Sequence, residues 1–131
     1  MPKVIYKNFE FPLEAVLSYL QPHKKWVTWV QEQAEERQDT IDLSTAPFQS
    51  MGIVGGLYTY TATDTTRFVF GLIESGAGSA FCPTCNQRVP AALVKLEEYA
   101  EGTMMAGIRG RKLSCPNEHE LLREDTQWYA P

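Results

Sequence analysis

Two short runs hold every cysteine of this 131-residue chain: Cys82-Pro83-Thr84-Cys85 and, further on, Cys115-Pro116-Asn117-Glu118-His119. A Cys-x2-Cys pair sets two thiolates on one tight turn, close enough to grip a single cation, and a Cys-x3-His pair can supply the other two corners of a tetrahedron. Cys82, Cys85, Cys115 and His119 are therefore the candidate ligands of one Cys3His site, with zinc the expected cofactor. In both runs a proline follows the first cysteine, where it stiffens the turn and removes a backbone donor that would otherwise need a partner. The bland reading is three reduced thiols with no metal, but chance does not gather all three cysteines into two such turns. A redox reading rests on Cys82-Pro83-Thr84-Cys85 as a dithiol. It lacks the β-α-β setting, because Asn86-Gln87-Arg88-Val89-Pro90 intervenes before any helix begins.

Catalytic zinc is the weaker expectation. Hydrolytic sites keep one coordination position open for water and draw on His and carboxylate ligands, whereas four protein ligands with three thiolates close the shell. His119-Glu120-Leu121-Leu122-Arg123 begins like a metalloprotease helix motif but carries Arg123 where the second His would stand. An open shell with Glu118 or Glu120 facing the metal would restore a zinc-dependent hydrolase or deaminase.

On these two motifs the chain resembles the zinc-ribbon and treble-clef group of small zinc modules, over residues 80–123. The resemblance implies a structural metal and a recognition surface for nucleic acid or protein. Two departures stand out: the second knuckle is Cys-x3-His in place of Cys-x2-Cys, and a helical segment is expected between the knuckles. Residues 1–75 carry no such resemblance.

The elements that must position the site follow from periodicity and punctuation. Lys3 to Phe11, rich in β-branched and aromatic residues, reads as one strand ending at Pro12. Leu13, Val16, Leu17 and Leu20 fall at helical spacing until Pro22. Trp26, Trp29, Val30, Gln33, Ala34 and Arg37 form the stripe of a second helix, and His23 before it reads as a surface cap residue. Thr40 to Leu43 is a short strand and Ser44 to Gly56 an irregular connection. Leu57 to Ala62 and Arg67 to Ile73, flanking Thr63-Asp64-Thr65-Thr66, are expected as a β-hairpin. Ser75 to Ser79 reads as a linker. A helix from Pro90 to near Gly102 and a strand from Ile108 to Leu113 then complete the second half. The expected fold class is α+β: an N-terminal small sheet with two helices, and a C-terminal zinc-ribbon-like module. The division is 1–75 for the α+β portion and 80–131 for the zinc-binding module, with one compact domain overall as the alternative.

Composition bounds the partners. With 44% hydrophobic and 21% charged residues the chain has an ordinary globular composition, and a formal charge of -4 argues against a protein that coats nucleic acid through charge alone. Arg109, Arg111 and Lys112 form the one basic strip that could touch phosphate or a partner, although a solvated hairpin is an equally ordinary reading. Gly52-Ile53-Val54-Gly55-Gly56 lacks the phosphate-loop register, and Trp26, Trp29 and Trp128 read as core before they read as a binding face. No apolar run reaches membrane-spanning length and no signal core opens the chain, so no membrane association is expected. An odd cysteine count fits a metal site in a reducing compartment, which makes cytoplasm the expected location. The function expected is a non-catalytic zinc-containing binding, adaptor or inhibitor protein that docks on a protein in preference to nucleic acid. Nucleic-acid binding and enzyme action are the alternatives, and self-association is left open.

Overall fold

The computed structural model describes residues 2–36, 39–47, 51–54 and 58–129, without the side chains of 51–63 and 128–129. Among them are three α-helices and two five-stranded sheets, so the fold class is α+β.

The N-terminal strand is a hairpin rather than one strand. β1 (Lys3–Tyr6) and β2 (Phe9–Pro12) pair antiparallel about Lys7-Asn8, with Lys7 at φ 52°. The reason lies in the phase of the apolar residues. Val4 and Tyr6 are buried, then Phe9 and Phe11, so the inward alternation slips by one across the turn. The expected helices form at α1 (Leu13–Tyr19) and α2 (Lys24–Glu35), and β3 (Thr40–Asp42) returns parallel to β1. A short 3-10 turn at Leu43–Thr45 follows, capped by Asp42, whose carboxylate accepts from the Ser44 N–H at 2.9 Å.

The largest correction concerns the expected hairpin over Leu57 to Ile73. Leu57 lies outside the described residues; β4 (Met51–Val54) and β5 (Tyr58–Thr63) do pair antiparallel, but the following segment is a helix, α3 (Asp64–Glu74). A continuous apolar run such as Phe68-Val69-Phe70-Gly71-Leu72-Ile73 has no period that separates a buried strand from a buried helix. Burial decides for the helix: Phe68, Val69, Phe70, Leu72 and Ile73 are buried, and Thr65 and Thr66 with them, the signature of a helix packed on several sides. Asp64 in its first turn suits the positive end of the helix dipole.

Ser75 to Ser79 is the end of that helix, not a linker. Gly76 takes φ 87°, its N–H donates to the Ile73 carbonyl, and the Ala77 N–H donates to the Leu72 carbonyl, both at 3.0 Å, which is a Schellman cap. Gly78 (φ 74°) then passes so close to β2 that a Cβ there would strike the Glu10 carbonyl oxygen and the Phe11 ring. The chain continues into β6 (Ser79–Cys82), paired with β2, and β7 (Gln87–Pro90), paired with β6. The first sheet therefore runs β3-β1-β2-β6-β7 across the Ser75 to Ser79 stretch.

The helix expected from Pro90 to Gly102 is also a strand. After a 3-10 turn at Ala91–Leu93, β8 (Lys95–Gly102), β9 (Ala106–Ser114) and β10 (Glu120–Tyr129) form a meander, and β10 pairs with β5 to complete the second sheet, β4-β5-β10-β9-β8. Helix formers dominate Lys95 to Glu101, yet cross-strand contacts override them. Glu97 pairs with Lys112 at 3.6 Å, and the Tyr99 hydroxyl reaches Asp125 at 3.1 Å.

One apolar core joins the layers. It gathers Val4, Phe9 and Phe11 from the first sheet, Val16, Leu20, Trp26 and Val30 from α1 and α2, Phe68 to Ile73 from α3, and Leu113 and Leu122 from the second sheet. Trp26 stands edge-on to Phe68 at 5.0 Å, and the Tyr19 ring lies where a Cβ on Gly71 would be. Trp26 is thus a core residue, and Trp29 packs against the same core; the Trp128 side chain lies outside the described residues, as do Arg37, Gly55 and Gly56. His23 does occupy the helix start but makes no side-chain cap bond; its ring sits 5.0 Å from that of Phe68.

Candidate metal centre

The two knuckles are the tips of two hairpins from different sheets. Cys82 closes β6 and faces Gln87 across the first turn; Cys115 follows β9, and Ser114 pairs with Glu120 across the second. Each turn needs one residue in the left-handed region, Asn86 at φ 53° and Glu118 at φ 66°. Asparagine visits that region readily, whereas glutamate does so at a cost of about 1–2 kcal/mol. The second turn is held by the Glu118 N–H donating to the Cys115 carbonyl at 2.8 Å and the Cys115 N–H donating to the His119 carbonyl at 3.0 Å.

These turns bring Cys82, Cys85, Cys115 and His119 together, with one ligand atom from each all within 4.8 Å of one another. His119 Nδ1 lies 3.6 Å from Cys82 Sγ, 3.2 Å from Cys85 Sγ and 3.4 Å from Cys115 Sγ, and the Cys85 and Cys115 sulfurs are 3.8 Å apart. A tetrahedral ion with bonds of about 2.3 Å to sulfur and about 2.1 Å to nitrogen sets edges of about 3.8 Å and about 3.6 Å. A disulfide would need sulfurs about 2 Å apart. The four residues could therefore hold a metal ion, in a geometry compatible with zinc.

The surroundings favour the thiolate at Cys115 and place hydrogen-bond donors on two of the sulfurs. Asn117 Nδ2 donates to Cys85 Sγ at 3.2 Å and the His119 N–H to Cys115 Sγ at 3.4 Å, the outer-shell donors that orient and stabilise bound sulfur. Burial pushes the Cys115 thiol up, but the N–H groups of His119 and Asn117, with the neighbouring Cys85 and Cys82 thiols, bring it down to about 7. At Cys85 the Asn117 amide pulls down, yet burial together with the Cys82 and Cys115 thiols leaves the net shift upward. Cys82 and Cys115 are buried, and Val89, Val94 and Leu121 wall the cluster. Asn117 escaped the sequence reading although it stands inside the second knuckle; a polar side chain between two ligands is the signal that could have found it.

The basic strip is scattered by its strand. On β9, Arg109 and Arg111 share one face and Lys112 takes the other. Arg111 is engaged: its Nε donates to Glu124, its Nη1 reaches Glu74 at 3.1 Å, and its guanidinium lies over the Phe70 ring at 4.4 Å. Lys112 pairs with Glu97. Arg109 alone of the three has no ion-pair partner among the described residues.

Comparison with protein-family models, curated proteins and solved structures finds no significant match to this chain. No described helix is long and apolar enough to cross a membrane.

Proposed function

We propose that this chain is a non-catalytic, zinc-stapled binding protein that docks on another macromolecule, a protein in preference to nucleic acid. The observation that carries the reading is the β8 edge of the second sheet. β8 pairs with β9 in unbroken register from Lys95↔Ser114 to Gly102↔Gly107 and has no strand on its outer side among the described residues. It contains no proline and no bulge, the usual guards of an edge. Such an edge accepts an extended segment as an added strand, with the backbone giving affinity and alternate side chains giving selectivity. Glu98 and Glu101 on β8, with Glu97 shared with Lys112, select a basic segment, and they oppose pairing with a second copy, which would set carboxylate against carboxylate. Beyond the strand, the turn to β9 exposes Met104 and Met105, at 95% and 60% of their surface, as an adaptable apolar anchor.

The zinc reading is supported by the donor set: three sulfurs and one imidazole at tetrahedral spacing suit zinc and fill its shell. With β8 a strand, the helix thought to separate this chain from the zinc-ribbon pattern is gone, and the knuckles sit on two hairpins. The alternatives fare less well. Glu118 is exposed and 4.0 Å from Lys95, and Glu120 pairs with Arg123 at 2.6 Å, so neither carboxylate attends the cluster as a general base would. Nucleic-acid binding loses Arg111 and Lys112 to carboxylates and faces the acidic edge.

The test is capture of a partner by the zinc-loaded chain beside two variants, Glu97→Lys/Glu101→Lys and Met104→Asp/Met105→Asp. A protein retained through nuclease treatment and lost with both variants is expected. Retention that vanishes with nuclease and falls steeply with salt would replace this reading with the nucleic-acid one.

A further inference from the structure

Away from the metal cluster, a cavity of about 500 Å³ is lined by Arg67 of α3 and by residues of β8, β9 and β10, among them Glu98, Arg109, Arg111 and Glu124. Three arginines and three acidic residues, Glu98, Glu124 and Asp125, thus line a space large enough for a nucleotide-sized molecule, with Asp125 already accepting from the Tyr99 hydroxyl. Their bonding is incomplete in a particular way. Arg111 is satisfied by Glu124 and Glu74 and clamped on Phe70. Arg67 and Arg109 are exposed, and their side chains have no ion pair or hydrogen bond among the described residues. Glu124 accepts from Arg111 through Oε1, while its Oε2 is buried with no partner. A buried carboxylate oxygen without a donor costs stability until something supplies an N–H or O–H.

We infer that this cavity binds a small phosphomonoester carrying hydrogen-bond donors, such as a nucleoside monophosphate. Two unpaired guanidinium forks match a phosphate dianion, each able to donate a parallel pair of hydrogen bonds. The orphaned Glu124 oxygen, and Glu98 on the far side of Arg111, match the amino or hydroxyl donors of the remainder of the molecule. A bare anion would satisfy the arginines and leave Glu124 unmet, so the site should prefer the organic phosphate to inorganic phosphate. None of the cavity residues is among the four candidate metal ligands, and of the acidic residues assigned to the β8 edge only Glu98 also lines the cavity.

The test is titration of the full, zinc-loaded chain with inorganic phosphate, ribose 5-phosphate and nucleoside monophosphates, followed by calorimetry and amide chemical shifts. Either organic phosphate is expected to bind at least about 10-fold more tightly than inorganic phosphate, with shifts centred on Arg67, Arg109 and Thr126. Arg67→Ala and Arg109→Ala, both on exposed positions, should each weaken it by about 10-fold, and Glu124→Gln should narrow the preference over inorganic phosphate. Zinc content and circular dichroism verify that each variant is folded. No binding at about 10 mM ligand, equal affinity for inorganic phosphate, or affinity unchanged in the Arg67→Ala/Arg109→Ala variant would each overturn the inference.

Discussion

The core beneath α3 and the corner around Cys82 are held by different physics. The core draws buried aromatic and aliphatic side chains from three helices and both sheets, so its stability comes from area removed from water and is shared among many contacts. At the corner the buried apolar residues are Cys82, Val89 and Cys115, of which two are candidate ligands, and among the described residues Cys85, Val94 and Leu121 pack against them. Little hydrophobic energy is available there, and the two hairpin tips it joins belong to different sheets. Under the proposed zinc reading such a corner would depend on metal bonds, whose free energy is also folding energy. On that reading the chain combines a region that tolerates the loss of one contact with a region in which every candidate ligand would count.

Substitutions can break or sharpen this contrast. Cys115→Ser should have the largest effect, abolishing stoichiometric metal binding and costing several kcal/mol of metal-coupled stability, read by metal analysis and by melting with and without chelator. Phe70→Ala should cost about 3–5 kcal/mol through the cavity it leaves, yet retain about one metal per chain. If Phe70→Ala lost the metal as completely as Cys115→Ser, core and corner would be one cooperative unit. Gly78→Ala should cost about 1–3 kcal/mol in denaturant titrations, because it adds a Cβ at positive φ against the Glu10 backbone. Tyr99→Phe, which removes the bond to Asp125, and His23→Ala should each cost about 1 kcal/mol or less.

The smallest effect is one of pH. The hydrogen bond from Lys3, stronger than the opposing burial and aided by the charges of Lys3 and Arg88, holds the Glu10 carboxyl below the usual carboxylate range. A group lowered in the folded state stabilises it above the unfolded pKa, and that contribution disappears as pH falls through the folded value. Glu10 is half-buried and its partners Lys3 and Arg88 are exposed, so solvent screens the interaction; Glu10→Gln should lower stability at neutral pH by only a small amount, and the difference from the parent chain should vanish as pH falls through the folded pKa.

The site was more legible than the fold around it. Candidate ligands declare themselves by type and spacing, because few side chains bind a soft cation, and Cys82, Cys85, Cys115 and His119 lie together as their spacing suggested. α1, α2 and β3 were equally plain, since Pro12 and Pro22 bracket one amphipathic period and Trp26 and Val30 mark another. The segments that misled were those whose local preference says little about their neighbours. Arg67 to Ile73 is apolar throughout, so only burial on several sides distinguishes helix from strand. Lys95 to Glu101 carries helix formers, but its ladder with β9 prevails. The Lys7-Asn8 turn was visible in the shifted phase of Val4, Tyr6, Phe9 and Phe11. The Schellman cap at Gly76 was hidden because small residues after an apolar run suit a linker and a cap alike.

The direct test of the central claim, that metal staples a corner which the apolar core cannot hold alone, is hydrogen exchange along the chain before and after metal removal. Exchange should rise sharply across Ser79 to Pro90 and Leu113 to Leu121 while α1 and the Phe68 to Ile73 segment of α3 stay protected. Equal acceleration along the whole chain, or none at the two knuckles, would contradict it.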